Sequence, residues 1–196
     1  MKKRIVLIAL LVLVLVCLTA CGNVENTLTA VTTLLKEDYS NVTINVTTET
    51  SNVTLQGVYS LSFDGDKTTI EYSYDKLNEL DIDGNNAGSY KTTISGTAVV
   101  QGNTVTENGV PVELPAGPLD YTGLSFKEGF FNKARVSNGS FSANVRNPKG
   151  FTGNNDFVCS NMRVEVKFTT DSLSEINITY VSANGNNVTV VYWFTK

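Results

Sequence analysis

Two hydrophobic periods divide the chain. From Val24 to Tyr39 the apolar residues Val24, Leu28, Val31 and Leu35 recur at spacings of four, three and four, and Leu34 widens the stripe. This spacing predicts one amphipathic helix over about residues 24–39. After Asn41 the period falls to two. Val42, Ile44 and Val46 alternate with Thr43, Asn45 and Thr47, and Val53, Leu55, Gly57, Tyr59, Leu61 and Phe63 alternate with polar residues up to the turn Asp64-Gly65-Asp66. Ile70, Tyr72 and Tyr74 continue the strand pattern, which then predicts a short turn at Lys76 to Leu80 and a loop at Asp81 to Gly88. Three further strands are expected at Tyr90 to Val100, Thr104 to Thr106 and Val110 to Leu114, the last two joined through the hairpin dipeptide Asn108-Gly109.

Pro115-Ala116-Gly117-Pro118 breaks the run. Between Leu119 and Ala134 the residues Tyr121, Leu124, Phe131 and Ala134 fit a helical stripe that Gly123 and Gly129 weaken, so the expectation is a short helix or an ordered loop with its aromatics inward. Strand character resumes over Arg135 to Arg146, and a polar loop follows at Asn147 to Asn155. Met162, Val164, Val166 and Phe168, then Ile176, Ile178 and Tyr180, then Val188, Val190, Tyr192 and Phe194 close the pattern, with Asn184-Gly185 turning into the last strand. Nearly every strand has one apolar face and one Thr, Asn or Ser face. The fold class expected is therefore mainly β (α+β), an antiparallel sheet of about nine or more strands, wet on one face and covered on the other by the N-terminal helix and a short mid-chain helix.

The opening residues follow neither period. Met1-Lys2-Lys3-Arg4 is basic, and Ile5 to Leu18 is an unbroken apolar run, short for a membrane span and right for an export signal. Leu18-Thr19-Ala20-Cys21 behind it resembles the bacterial lipobox. That resemblance implies a signal peptide over 1–20, diacylglyceryl modification of Cys21, and a single β-rich domain over 21–196 held on the extracytoplasmic side of the cell membrane. More than one acyl chain on Cys21 exceeds the marginal anchoring of a single chain, so the membrane is an expected partner.

One helix, a run of antiparallel strands, a mid-chain break and closing hairpins also resemble the LolA/LolB-like lipoprotein-carrier superfamily. The closest local likeness is the stretch Val164 to Phe194, with Thr170-Asp171-Ser172, the strand Ser174 to Tyr180 and Asn184-Gly185. The resemblance implies a strongly curved sheet wrapped around helical segments, and a concave apolar cavity that takes a lipid or other hydrophobic ligand. Tyr59, Phe63, Tyr72, Tyr74, Phe130, Phe131, Phe168 and Tyr192 are the aromatic positions that would line such a cavity; the alternative is that they simply fill a core.

Composition narrows the chemistry. The chain has no His, which excludes Ser-His-Asp and Cys-His nucleophilic sites and His-ligated zinc. Its 15 basic and 19 acidic residues become 12 and 19, a net −7, once Lys2, Lys3 and Arg4 leave with the signal. That sign argues against a nucleic-acid partner. Of the 3 Cys, Cys17 leaves with the signal and Cys21 is consumed by lipid, so Cys159 stands alone and reads as a small core residue. Asp81-Ile82-Asp83-Gly84-Asn85 looks like a calcium loop, but the sixth and twelfth positions hold Asn86 and Thr92 where an EF-hand needs Gly and Glu. No cofactor or metal is expected.

Six N-x-S/T sequons, at Asn41, Asn45, Asn52, Asn138, Asn177 and Asn187, arise from strands that alternate Asn, apolar, Thr and are read as wet-face or turn residues. The carboxylates Glu71, Asp75, Glu79, Asp81 and Asp83 cluster in sequence, but proximity across a strand end and turn says nothing about the facing separation a glycosidase pair requires; they read as solvated charges, and no other motif supports an enzyme. The sequence thus points to a lipid-anchored envelope protein that binds a hydrophobic or amphiphilic molecule. The alternative is a non-enzymatic sensing or interaction module for protein or glycan.

Overall fold

The computed structural model describes residues 23–82, 85–101, 104–114 and 121–196. The signal segment, Cys21, Asp83-Gly84 of the acidic loop and the Pro115 to Pro118 break lie outside the described residues. Asn23 caps the first helix, α1 (Val24–Leu34), its side chain accepting the Glu25 N–H at 2.9 Å. Thr27, Leu28, Val31 and Leu34 are the buried side of α1, so the predicted stripe is present, although the helix ends at Leu34 and the chain continues as turns to Tyr39.

Eleven strands form one curved, unclosed antiparallel sheet. They are β1 (Asn41–Glu49), β2 (Thr54–Asp64), β3 (Lys67–Ile82), β4 (Asn85–Gln101), β5 (Thr104–Glu107), β6 (Val110–Pro111), β7 (Phe131–Ser137), β8 (Ser140–Val145), β9 (Cys159–Phe168), β10 (Leu173–Ser182) and β11 (Asn187–Thr195). In space they run β6-β5-β4-β3-β2-β1-β11-β10-β9-β8-β7. Each half is a meander of sequence neighbours. Among the described residues the two halves of the sheet join only where β1 pairs β11, from Asn41↔Thr195 to Glu49↔Asn187.

The period-two pattern sets which face is buried. Ile44 stands opposite Tyr192 on one side and Tyr59 on the other, and the same row continues through Ile176, Val166 and Phe141. All of these are buried in one core. The opposite face carries Thr43, Asn45, Thr47, Ser60, Asn177 and Thr189, as the alternation requires. Sequon residues Asn41, Asn45, Asn177 and Asn187 lie on these strands, and Asn52 and Asn138 lie in turns.

Three local readings are corrected. Lys76 to Leu80 is not a turn: β3 runs through it to Ile82, and β4 begins at Asn85, so most of the expected loop at Asp81 to Gly88 is hairpin. Polar residues without an apolar alternation satisfied the ladder because a two-stranded ribbon has no core face to demand one. Of the two mid-chain alternatives the helix is absent and the ordered loop is present: two single 3-10 turns, Tyr121–Gly123 and Glu128–Phe130, lead to β7 at Phe131, with Tyr121, Leu124 and Phe131 buried. Glycines at 123 and 129 disfavour a longer helix there. A short helix appears where a loop was expected, α2 (Pro148–Thr152), started by Pro148 at its first turn and capped by Asn147. The hairpin at Asn108-Gly109 is present, with φ of 52° and 80° as a type I′ turn needs. Cys159 is half-buried against the core, and burial pushes its thiol pKa up.

Tyr39 ties α1 to the sheet. Its hydroxyl donates to Leu34 O at 2.8 Å and accepts the Leu173 N–H at 3.0 Å, and its ring packs on Phe194 with centroids 4.9 Å apart. Tyr39→Phe keeps the ring but takes the acceptor from the buried Leu173 N–H, while Leu34 O keeps the Glu37 N–H as a donor. The expected cost is about 1–3 kcal/mol of unfolding free energy, read by urea denaturation.

Candidate functional site

The sheet forks on its apolar side. β2 pairs β3 only as far as Gly57↔Tyr74. Beyond that point β1 and β2 continue together through Thr48↔Leu55 to Glu49↔Thr54, while β3 and β4 continue as a separate ribbon from Asp75↔Thr93 to Ile82↔Asn85. Asp75 sits at the parting. Its Oδ2 accepts the Gln56 backbone N–H at 3.0 Å, replacing the partner that the ladder no longer supplies, and also accepts Lys91 Nζ at 3.0 Å. Its Oδ1 accepts the Thr93 hydroxyl at 2.9 Å. The Gln56 N–H and then Lys91 hold this carboxyl below the usual carboxylate range.

An open groove of about 340 Å³ fills the crotch of the fork, lined on its apolar side by Val46, Leu55, Gly57, Tyr59, Tyr74 and Leu77. Thr48, Gln56, Asp75 and Lys76 give it a polar rim. Its size falls within the usual range for small-molecule sites. Gly57 shapes it: a Cβ there would stand 3.1 Å from Tyr59 Cε2 and 3.2 Å from its hydroxyl, so the Tyr59 ring lies across the glycine and forms the floor. Desolvation, then the neighbouring Tyr74, pushes the Tyr59 pKa up to about 12, so the phenol stays neutral.

One row further in, Tyr72 faces Gly96 across β3 and β4. Tyr72 donates to Glu107 Oε2 at 3.1 Å, while Glu107 Oε1 accepts the Thr97 N–H at 3.2 Å. Gly96 makes room for this bond: a Cβ there would come within 2.6 Å of the Tyr72 hydroxyl and collide with the Glu107 carboxylate, so both would have to shift. Burial and the bond to Glu107 both raise the Tyr72 pKa. This edge of the sheet is therefore closed by a neutral phenol bonded to a carboxylate.

The eight aromatic positions expected to line a cavity do not meet at one place. Tyr59 and Tyr74 line the groove, and Tyr72 adjoins them, its ring 6.0 Å from that of Tyr74. Tyr192 is core, packed among Tyr121 and Phe194. Phe131 belongs to a separate aromatic cluster with Phe126, Phe141 and Phe151. Phe130 lies against Gly150 of α2 with Lys127 Nζ 5.8 Å above its ring. Phe63 and Phe168 are half-buried near strand ends. Sequence reading missed Val46, Leu55, Asp75 and Leu77; the one signal pointing to them was Gly57, which interrupts the apolar face of β2.

Among the described residues no group of three or more His, Cys, Asp or Glu could hold a metal ion, and no helix is long and apolar enough to cross a membrane. No protein-family model matches the chain, and neither does any curated protein.

Because the Asp75 carboxyl pKa is lowered on folding, its contribution to stability is full above the ordinary value of 3.8 and is lost as pH falls through the lower folded value. Asp75→Asn is therefore expected to lower the urea midpoint at neutral pH, and the gap to wild type should close below the ordinary carboxylate range. A gap that is the same at all pH values would remove the charge from this account.

Proposed function

We propose that the chain is a bacterial lipoprotein, held at the extracytoplasmic side of the cell membrane through acyl chains on Cys21, whose β-rich domain binds a hydrophobic or amphiphilic, lipid-like ligand. The single observation that carries the ligand half is the groove at the fork: an apolar floor of Val46, Leu55, Gly57, Tyr59 and Tyr74 beside a charged rim of Asp75 and Lys76. An acyl chain suits the floor and a polar headgroup suits the rim. The anchor half rests on the lipobox and the export signal before it. A one-sided curved sheet carrying this groove is in keeping with the carrier-like element order read from the sequence. No catalytic role is assigned to any residue.

A second reading, an interaction module for protein or glycan, has its own support on the opposite face. Trp193 and Val58 are exposed there. Across the row between Asn177, Val191, Asn45 and Val58, the side-chain carbonyls of Asn45 and Asn177 have no hydrogen-bond partner in the described structure although they are buried. Such a surface offers an exposed ring for stacking rather than a pocket.

Native mass spectrometry of the chain from residue 21 onward, made without acylation and followed by organic extraction, separates the two. A co-purifying lipid, reduced at least about tenfold in Val46→Trp, is the expected result, since the added ring fills the groove. A clean unliganded mass, unchanged after incubation with membrane lipids, overturns the groove reading and favours the outer face. For the anchor, Cys21→Ser is expected to move the protein to the soluble fraction or to leave its precursor unprocessed. A variant that is still cut and still fractionates with membranes refutes lipidation.

A further inference from the structure

At the other end of the sheet from the fork, two bulges face each other across β8. β7 slips register between Asn132 and Arg135, and β9 slips where Thr179 and Val181 of β10 meet Arg163 and Ser160. The bulged residues Lys133 and Asn161 have left-handed backbone, with φ of 51° and 53°. Asn tolerates that region, but Lys is uncommon there, and such strain persists only where the surroundings enforce it. Bulges re-aim side chains. Here they flank Asn144, which pairs with Asn132 on one side and Arg163 on the other.

The result is a cationic corner on an acidic protein. Lys133, Arg135 and Arg163 line one recess of about 240 Å³ together with Ser142 and Asn144. A second recess of about 400 Å³ shares Asn144 and Arg163 and adds Asn132, Asn161 and Thr179. Arg163 Nη2 is 2.8 Å from Glu165, while neither Lys133 nor Arg135 forms an ion pair among the described residues. Three cations against one carboxylate, set among amides and hydroxyls that can all donate, suit the charge and acceptor oxygens of a single phosphate group. A polyanion is disfavoured by the net −7 of the chain after its signal.

The position of the corner indicates where the phosphate comes from. Tyr39 fixes the C-terminal end of α1 at Leu173, and Leu173 faces Phe168, whose N–H donates to Gly139 O beyond the end of β7. α1 also touches β7 and the turn Glu128–Phe130 at the opposite end of that strand. Its start, capped by Asn23 two residues after Cys21, therefore lies toward Phe130 and Phe131. The Asn132↔Asn144 row of the cationic corner follows the Phe131↔Val145 row at this same end of β7, on the opposite, wet face of the sheet. We infer that Lys133, Arg135 and Arg163 form a phosphate site that engages phospholipid headgroups of the membrane to which the chain is anchored. The headgroup source rests on the lipid-anchor reading above; the phosphate chemistry does not.

The test uses the full acylated lipoprotein, isotopically labelled for NMR. In neutral-detergent micelles, inorganic phosphate and glycerophosphoglycerol are titrated separately, with glycerol as the uncharged control. In bilayer discs of phosphatidylglycerol, headgroup-spin-labelled lipid reports proximity. The expected result is phosphate-dependent shifts at residues 132–135, 142–144 and 161–163, weakened by salt, together with broadening of the same signals in the discs. Lys133→Gln/Arg135→Gln/Arg163→Gln should weaken the titration at least about tenfold and abolish the broadening. Should that variant not fold, Arg135→Gln alone and the salt dependence of the wild type give the same reading. Shifts with free phosphate but no broadening in the discs overturn the headgroup source and leave a soluble phosphate ligand. No shift with either phosphate compound, or shifts unaltered by the substitutions, overturns the site. Failure of the Cys21→Ser test with the titration intact would discard the anchor and keep the phosphate site.

Discussion

Everything in this domain depends on the pairing of its first strand with its last. β1 and β11 share a ladder from Asn41↔Thr195 to Glu49↔Asn187, and they alone join two meanders that are otherwise built from sequence neighbours. Each meander would present a bare apolar face. Joined, they set Val42 and Ile44 of β1 at the centre of the sheet, where both are fully buried between β2 and β11. The entropy of closing so long a loop grows only slowly with its length, so one well-registered, two-sided strand is enough to hold the ends together. Tyr39 reinforces this junction, since it meets Leu34 before β1, Leu173 at the start of β10 and Phe194 within β11.

The two candidate sites arise where this regular ladder stops being regular. At the fork, β2 and β3 part, and an unpaired backbone N–H would have no partner if Asp75 did not accept it. The space between the diverging arms keeps an apolar floor because the residues on it still obey the alternation of the sheet behind them. At the cationic corner, bulges in β7 and β9 break the same alternation and gather charged side chains that a uniform pleat would have spaced out. One irregularity produces an apolar recess and the other a polar one. They lie on different parts of the sheet.

The distribution of charge agrees with this division. The wet face is mostly Thr, Ser and Asn, which satisfy one another across strands, as where Asn41 Nδ2 donates to Ser60 and Ser62. Apart from Lys91–Asp75 at the fork, the ion pairs among the described residues are exposed or half-exposed, and pairs of that kind contribute little to stability. Stability therefore comes from burial of the single apolar face.

Much of the architecture was legible in the residues themselves. The change of period at Asn41, the helical stripe at Leu28, Val31 and Leu34, and the Asn108-Gly109 hairpin follow from side-chain spacing and backbone preference, which act locally. So does the division of each strand into a buried and a wet face. Segments with no core face to bury, such as Lys76 to Glu79, left no such mark and read as turn. Which strands would be neighbours was not legible, because antiparallel strands with the same alternation are interchangeable until they close. The aromatic list shows the consequence: Tyr59, Tyr72 and Tyr74 meet because β2 and β3 are paired, while Phe131, Phe168 and Tyr192 have equivalent sequence surroundings and lie elsewhere. Spacing along the chain decides the orientation of each side chain, whereas register between distant strands decides which side chains share a site. Only the tertiary structure holds that register.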